Sequence, residues 1–172
     1  RKEEAKEERR LAKEQALAER TSLVERAEAI LAKESSKIHW KQSGQLLRDL
    51  LEEWKQMQRR GPRLDKSTED ELWKRFSATR TQFDRRRRQY FSELDERQGQ
   101  AKRVKEEIIA RAEALKDSTN WGETSAAFRD LMAQWKRAPR ASRREDDALW
   151  ARFRSAQQAF FDARPRNDLA VD

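Results

Sequence analysis

WKQSGQLLRDLLEEW, residues Trp40–Trp54, and WGETSAAFRDLMAQW, residues Trp121–Trp135, are two versions of one segment, 81 positions apart. Each begins and ends on tryptophan, and each carries Arg-Asp-Leu in the same place: Arg48-Asp49-Leu50 and Arg129-Asp130-Leu131. A second pair lies downstream. Leu72-Trp73-x-x-Phe76 with Phe83 recurs as Leu149-Trp150-x-x-Phe153 with Phe160, 77 positions on. All six tryptophans are consumed by the duplication. Large aromatics that repeat at helical spacing mark a tandem helical repeat, in which each unit buries its apolar face on its own neighbours.

Composition narrows the class. The chain has 172 residues, 42% charged and 35% hydrophobic, with four glycines and three prolines. Such a balance leaves disorder or long charged helices, and periodic tryptophans exclude disorder because only a packed chain gains from placing them. With no cysteine there is no disulfide framework, thiol chemistry or cysteine metal site. No apolar run approaches the ~18 residues of a membrane span, and no signal-like segment opens the chain. A cytoplasmic protein is expected. The sequence begins at Arg1 within a charged pattern, which suggests a piece of a longer chain. Net charge is +8, which favours a polyanionic partner.

Residues 1–22 read as an Arg/Lys/Glu/Ala helical extension, held by side-chain pairs and projecting into solvent, with Leu11 and Leu17 as its few apolar points. From Leu23 the spacing of Ala27, Ile30 and Leu31 predicts an amphipathic helix, interrupted at Ser35-Ser36. The next helix starts near Trp40 and stops at Gly61-Pro62. Ser67 or Thr68 is the expected cap of a long helix running to about Lys116, with Gly99 as its one candidate break. A helix from Trp121 to about Arg137 is halted by Pro139, and Ser142-x-x-Glu145 caps a last helix ending before Pro165. The offset between copies falls by four twice. Leu23 and Ile108 are 85 apart, the tryptophan pairs 81 and the Leu-Trp motifs 77, the last change being assigned to the loop between the second and third helices. Four residues are about one turn, so the apolar face stays aligned.

The expected fold is all-α: two tandem three-helix bundle repeats sharing a long central helix, elongated, with an N-terminal helical extension. Boundaries fall at 1–22 for the extension, 23–97 and 98–165 for the repeats, and 166–172 for a flexible tail. With the Trp pair, Gly61-Pro62, Leu72-Trp73-x-x-Phe76 and Phe83 laid out, the chain resembles the bacterial helical repeat known as domain of unknown function 349, of actinobacterial type. Copy one spans about Leu23 to Phe91 and copy two about Ile108 to Arg164. Copy two has Ala138-Pro139 where that family has Gly-Pro. The resemblance implies an all-helical protein and no catalytic residues.

The tryptophans read as core, with Trp40 and Trp121 the pair most exposed because they open helices among polar neighbours. The basic residues are the candidate site. Lys55, Arg59, Arg60, Arg63 and Lys66 cluster at the loop between the second and third helices of copy one. Lys136, Arg137, Arg140, Arg143 and Arg144 do so in copy two. Cations recurring at one end of each repeat suit a phosphate backbone, with arginine favoured for its planar fork; the plainer alternative is a solvated loop. Arg85, Arg86, Arg87 and Arg88 cover every side of one helical turn, so at least one must point toward the bundle. Catalysis has no foothold: His39 is the only histidine and reads as a helix-start residue, and no phosphate loop, zinc spacing or calcium loop occurs. No cofactor or metal is expected. The leading expectation is a non-enzymatic, RNA-associated module, contacting ribosomal RNA or the ribosome surface with little base readout. The alternatives are sequence-independent DNA binding and a protein-interaction scaffold, for example for the transcription machinery. In the scaffold reading, Leu11, Leu17 and a seam through Val104 and Ile108 would pair with partner helices.

Overall fold

A computed structural model describes residues 1–165. It contains five α-helices and one short 3-10 helix: α1 Lys2–Ile30, the 3-10 turn Ser35–Lys37, α2 Trp40–Arg60, α3 Lys66–Leu115, α4 Trp121–Arg137 and α5 Arg143–Ala163. No strand occurs among the described residues, so the chain is all-α. It divides into two compact units, Arg1–Phe91 and Ser92–Asp172. Helix α3 is unbroken through Gly99 and contributes its first half to unit 1 and its second half to unit 2. Its 50 residues hold one glycine, and open space around Gly99, where an added Cβ would meet only the tip of Arg103, leaves nothing to force a kink. The tail at 166–172 lies outside the described residues.

In unit 1 the buried stripe of α1 (Leu23, Val24, Ala27, Ile30) packs with Trp40, Leu47, Leu50 and Trp54 of α2 and with Leu72, Phe76 and Phe83 of α3. In unit 2 the same roles fall to Ile108, Ile109 and Ala112 of α3, Phe128 and Leu131 of α4, and Leu149, Phe153, Ala156 and Phe160 of α5. The ring geometry repeats as well. Trp54 lies 5.5 Å from Trp73 and Trp135 lies 5.5 Å from Trp150, while Trp40 lies 5.2 Å from Phe83 and Trp121 lies 5.5 Å from Phe160.

Several local expectations need correction. Helix α3 begins at Lys66, so Ser67 and Thr68 lie inside its first turn and Asp65 occupies the capping position. The second change of offset is not in a loop. Both connecting turns, 61–65 and 138–142, have five residues, whereas α2 has 21 and α4 has 17. The four extra residues form one added turn at the end of α2, which keeps its apolar face in phase. Gly61 is not there for a left-handed conformation, since its φ is −86°. It is there because its amide bonds the Met57 carbonyl, and a Cβ would sit 2.9 Å from that same oxygen. At the equivalent position Ala138 makes room by bonding the Trp135 carbonyl instead. Ser142 caps α5 as its sequence predicts, its Oγ accepting from the Glu145 amide at 3.2 Å.

Trp40 is buried at 7% exposure, against expectation, and Trp73 at 40% is the most exposed tryptophan of unit 1. A helix-opening position does not expose a side chain when the next helix crosses over it, as Phe83 and Tyr90 of α3 do here.

Candidate nucleic-acid interface

The basic residues of the two turns fall into one register once the helix ends are aligned. The last two residues of α2 are Arg59-Arg60, and those of α4 are Lys136-Arg137. Arg63 and Arg140 each follow the proline of their turn, and Lys66 and Arg143 each open the next helix. All are exposed, as are Lys55 and Arg144, and among the described residues none of them makes an ion pair or side-chain hydrogen bond. The cations that end α2 and α4 are partly explained by attraction to the helix C-terminus. Those at the start of α3 and α5 are not: a cation there opposes the dipole and costs about 0.3–1 kcal/mol. Keeping Lys66, Arg143 and Arg144 at helix starts therefore works against stability.

The arginine run divides. Arg85, Arg87 and Arg88 are exposed on α3. Arg86 is committed to the fold: its Nη1 donates to the Leu31 carbonyl at 2.7 Å, its Nη2 to the Lys33 carbonyl at 2.7 Å, and both Nε and Nη2 reach the Ser35 hydroxyl. It thus satisfies carbonyls left open where α1 ends and leaves the candidate site. The run also lies about 20 residues, or some 30 Å of helix, from Lys66, at the opposite end of unit 1 from the basic turn. The structure does not bring these two clusters together.

The cations that sequence reasoning placed in solvent or passed over are the buried ones. Arg20 is 2% exposed. Its Nη1 donates to Glu69 Oε1 at 2.9 Å, and its guanidinium lies over the Trp54 ring, 4.8 Å from the centroid. Gln58 donates to the same carboxylate oxygen at 3.1 Å. These two hydrogen bonds, Arg20 first, hold the Glu69 carboxyl below its ordinary range. In unit 2, Lys105 is 5% exposed, donates to Asp146 Oδ1 at 2.8 Å and lies 5.1 Å from the Trp135 ring centre. Arg20 and Lys105 are 85 apart and Glu69 and Asp146 are 77 apart, the offsets of their own helices. The repeat thus includes a cation sandwiched between tryptophan and carboxylate at the end of each unit that carries the basic turn. That signal was present in the sequence: Arg20 stands in phase with Leu23, Val24 and Ala27.

The anchoring of α1 follows. Ala16 packs against the core, and Lys13 reaches Asp65 at 2.6 Å, so the residues expected to project into solvent are tied to the turn from residue 13 onward. Before that point Arg10 pairs with Glu7 and with Glu14, the helix-stabilising pattern read from the sequence. Ile108 is a core residue of unit 2, while Val104 is exposed, so the two do not form one exposed seam.

Taken together these features define an all-helical tandem repeat in which a Trp-Trp-Phe cluster, a buried cation and a basic turn are built twice. The sequence profile of the family described as Domain of Unknown Function (DUF349) matches residues 1–63 and 71–144, well over half of the chain, and the protein belongs to that family. Neither a curated protein nor a solved structure gives a significant match. No helix among the described residues is long and apolar enough to cross a membrane.

Proposed function

We propose that this protein is a non-enzymatic, cytoplasmic RNA-associated module that meets ribosomal RNA or the ribosome surface through its two basic turns. The observation that supports this reading is the register of Arg59, Arg60, Arg63 and Lys66 with Lys136, Arg137, Arg140 and Arg143. These are exposed cations that form no ion pair among the described residues, although Arg63 acts on the Glu69 carboxyl at longer range, and some of them stand at helix starts where they oppose the fold. A phosphate backbone supplies the missing counter-charge, and each neutralised phosphate releases counterions. Such contacts position a ligand without reading its sequence. The test is binding of ribosomal subunits and of structured RNA to the protein with Arg59, Arg60, Arg140 and Arg143 all changed to Glu. Binding is expected to fall steeply, and the wild-type protein to lose affinity as salt rises from 50 to 200 mM. RNA binding that survives the four reversals sinks the assignment of the site.

A scaffold role has its own support in Leu11 and Leu17 of α1, 51% and 40% exposed. In that case Leu11→Asp together with Leu17→Asp removes a protein partner and leaves RNA binding unchanged.

A further inference from the structure

Between α2 and α3 of unit 1 runs an open groove of about 560 Å³, with Trp40, Leu47 and Phe83 as its floor. Its walls are cationic. Lys41 and Arg48 line it from α2, and Arg80 and Arg87 from α3. Each pair is spaced by seven residues, two turns and about 10 Å of helix, so each wall presents a strip of charge rather than a point. Asp84 is the one carboxylate on the lining, and none of the four cations forms an ion pair among the described residues. Arg48 does bond a side chain, but a neutral one, Gln45.

One further feature points the same way, and another provides a probe. The groove lies along the first turns of α2, whose N-cap residue His39 provides no side-chain cap, so the positive helix end is uncompensated. Trp40 on the floor has its indole Nε1 buried, with no hydrogen-bond partner among the described residues, so it reports on the groove without itself being open to it.

Unit 2 supplies the contrast. At the equivalent positions Lys41 is replaced by Gly122, Arg80 by Gln157, Leu47 by Phe128 and Asp84 by Phe161. Phe128 packs 5.2 Å from Phe160 and 5.9 Å from Phe161, and Arg164, the counterpart of Arg87, reaches the Ser125 hydroxyl. Aromatic packing thus stands in unit 2 where unit 1 has an open, charged groove. Packing alone explains unit 2. It does not explain four converging cations in unit 1, whose mutual repulsion a bound anion would relieve.

We propose that the α2–α3 groove of unit 1 is a binding site for adjacent phosphate groups of a polyphosphorylated ligand, with Lys41, Arg48, Arg80 and Arg87 as its phosphate contacts. The site is separate from the basic turns, and its existence does not depend on them. The phosphates come either from an RNA strand or from a free polyphosphate, which share this chemistry.

The test uses the full chain with inorganic tripolyphosphate as the probe, read by calorimetry and by the Trp40 indole N–H resonance, identified through Trp40→Phe. Tripolyphosphate is expected to shift that resonance. Arg48→Gln with Arg80→Gln should weaken binding roughly tenfold or more, through loss of charge-assisted bonds. These residues are exposed, so helical content should stay unchanged. Asp84→Asn should tighten binding by removing the opposing charge, an effect of opposite sign that no loss of folding produces. Asp84→Phe, which copies unit 2, should block the groove. An unmoved Trp40 resonance, or equal affinity across wild type, the Arg48/Arg80 pair and Asp84→Phe, overturns the proposal. A second arm adds a 12-nucleotide single-stranded RNA. Displacement of tripolyphosphate from the groove identifies an RNA strand as the source, whereas retention of tripolyphosphate in its presence identifies a free polyphosphate; both uphold the site. Single-stranded RNA that fails to bind anywhere, while tripolyphosphate still occupies the groove, leaves the groove standing with a free polyphosphate as its source; the turns are tested separately by ribosomal subunits and structured RNA.

Discussion

Unit 1 and unit 2 share a core plan and differ in where they place charge. Unit 1 has a nine-residue connection between its first two helices, 31–39, and Arg86 reaches across to bind two carbonyls and a hydroxyl within it. Unit 2 has a five-residue connection, 116–120, and Ala163 at the position of Arg86. There Ser118 and Thr124 pair their hydroxyls at 2.7 Å, and the Asn120 amide bonds the Ser118 hydroxyl. The longer connection leaves more open backbone carbonyls and is accompanied by a long cationic side chain that satisfies them. The shorter one closes with local hydroxyls. An inserted turn is thus tolerated when a single side chain elsewhere can take up its polar groups.

The largest break in this comparison should come from the second tryptophan of each copy. Trp54 is 1% exposed and Trp135 only half-buried. Trp54→Ala should destabilise unit 1 by about 3–5 kcal/mol, and Trp135→Ala should destabilise unit 2 by less. Hydrogen exchange read separately over each unit checks the order; equal losses would refute the difference in packing.

Next in size are the buried cations. Arg20→Ala leaves Glu69 without its main partner and should cost unit 1 about 3 kcal/mol, as breaking a buried pair does. Lys105→Ala should act on unit 2 in the same direction. The pair also sets an acid limb. Because the folded-state pKa of Glu69 is lowered, its contribution is complete above the ordinary glutamate value of about 4.3. It is lost as pH falls through the lowered folded value. Glu69→Gln should flatten that part of the urea-midpoint profile against pH, and an unchanged profile would remove Glu69 from the account.

Smaller again is Arg86→Ala, which uncovers the Leu31 and Lys33 carbonyls and should cost about 1–3 kcal/mol. Exchange should quicken over residues 31–37 and not over 116–120. The smallest effect runs the other way: Gly99→Ala should stabilise α3 by up to about 1 kcal/mol, since the added Cβ has open space. Thermal melts resolve that sign.

Much of the fold was legible because tryptophan, phenylalanine and leucine recurring at three- and four-residue steps mark the face that a helix buries. Ser142, Pro139 and Pro165 marked helix limits through backbone chemistry that depends on neighbours alone. The charged residues were not legible in this way. Arg20 and Lys105 follow the apolar phase of their helices, yet a cation in that phase is buried only if a carboxylate from another helix meets it. Glu69 and Asp146 are some 40 to 50 positions away. Nothing in four consecutive arginines separates Arg86 from its neighbours until the end of α1 is placed beside it. The exposure of Trp73 and the burial of Trp40 likewise depend on which helix crosses which face.

By itself, then, the sequence determined the helices, their duplication, their core positions and the recurrence of basic turns, all of which follow from local spacing and short-range backbone chemistry. Only the tertiary structure decided which cations are buried, which are committed to capping and which remain in solvent. The cost of a charge depends on the groups that distant segments bring within a few ångströms of it, and those distances exist only once the helices have packed.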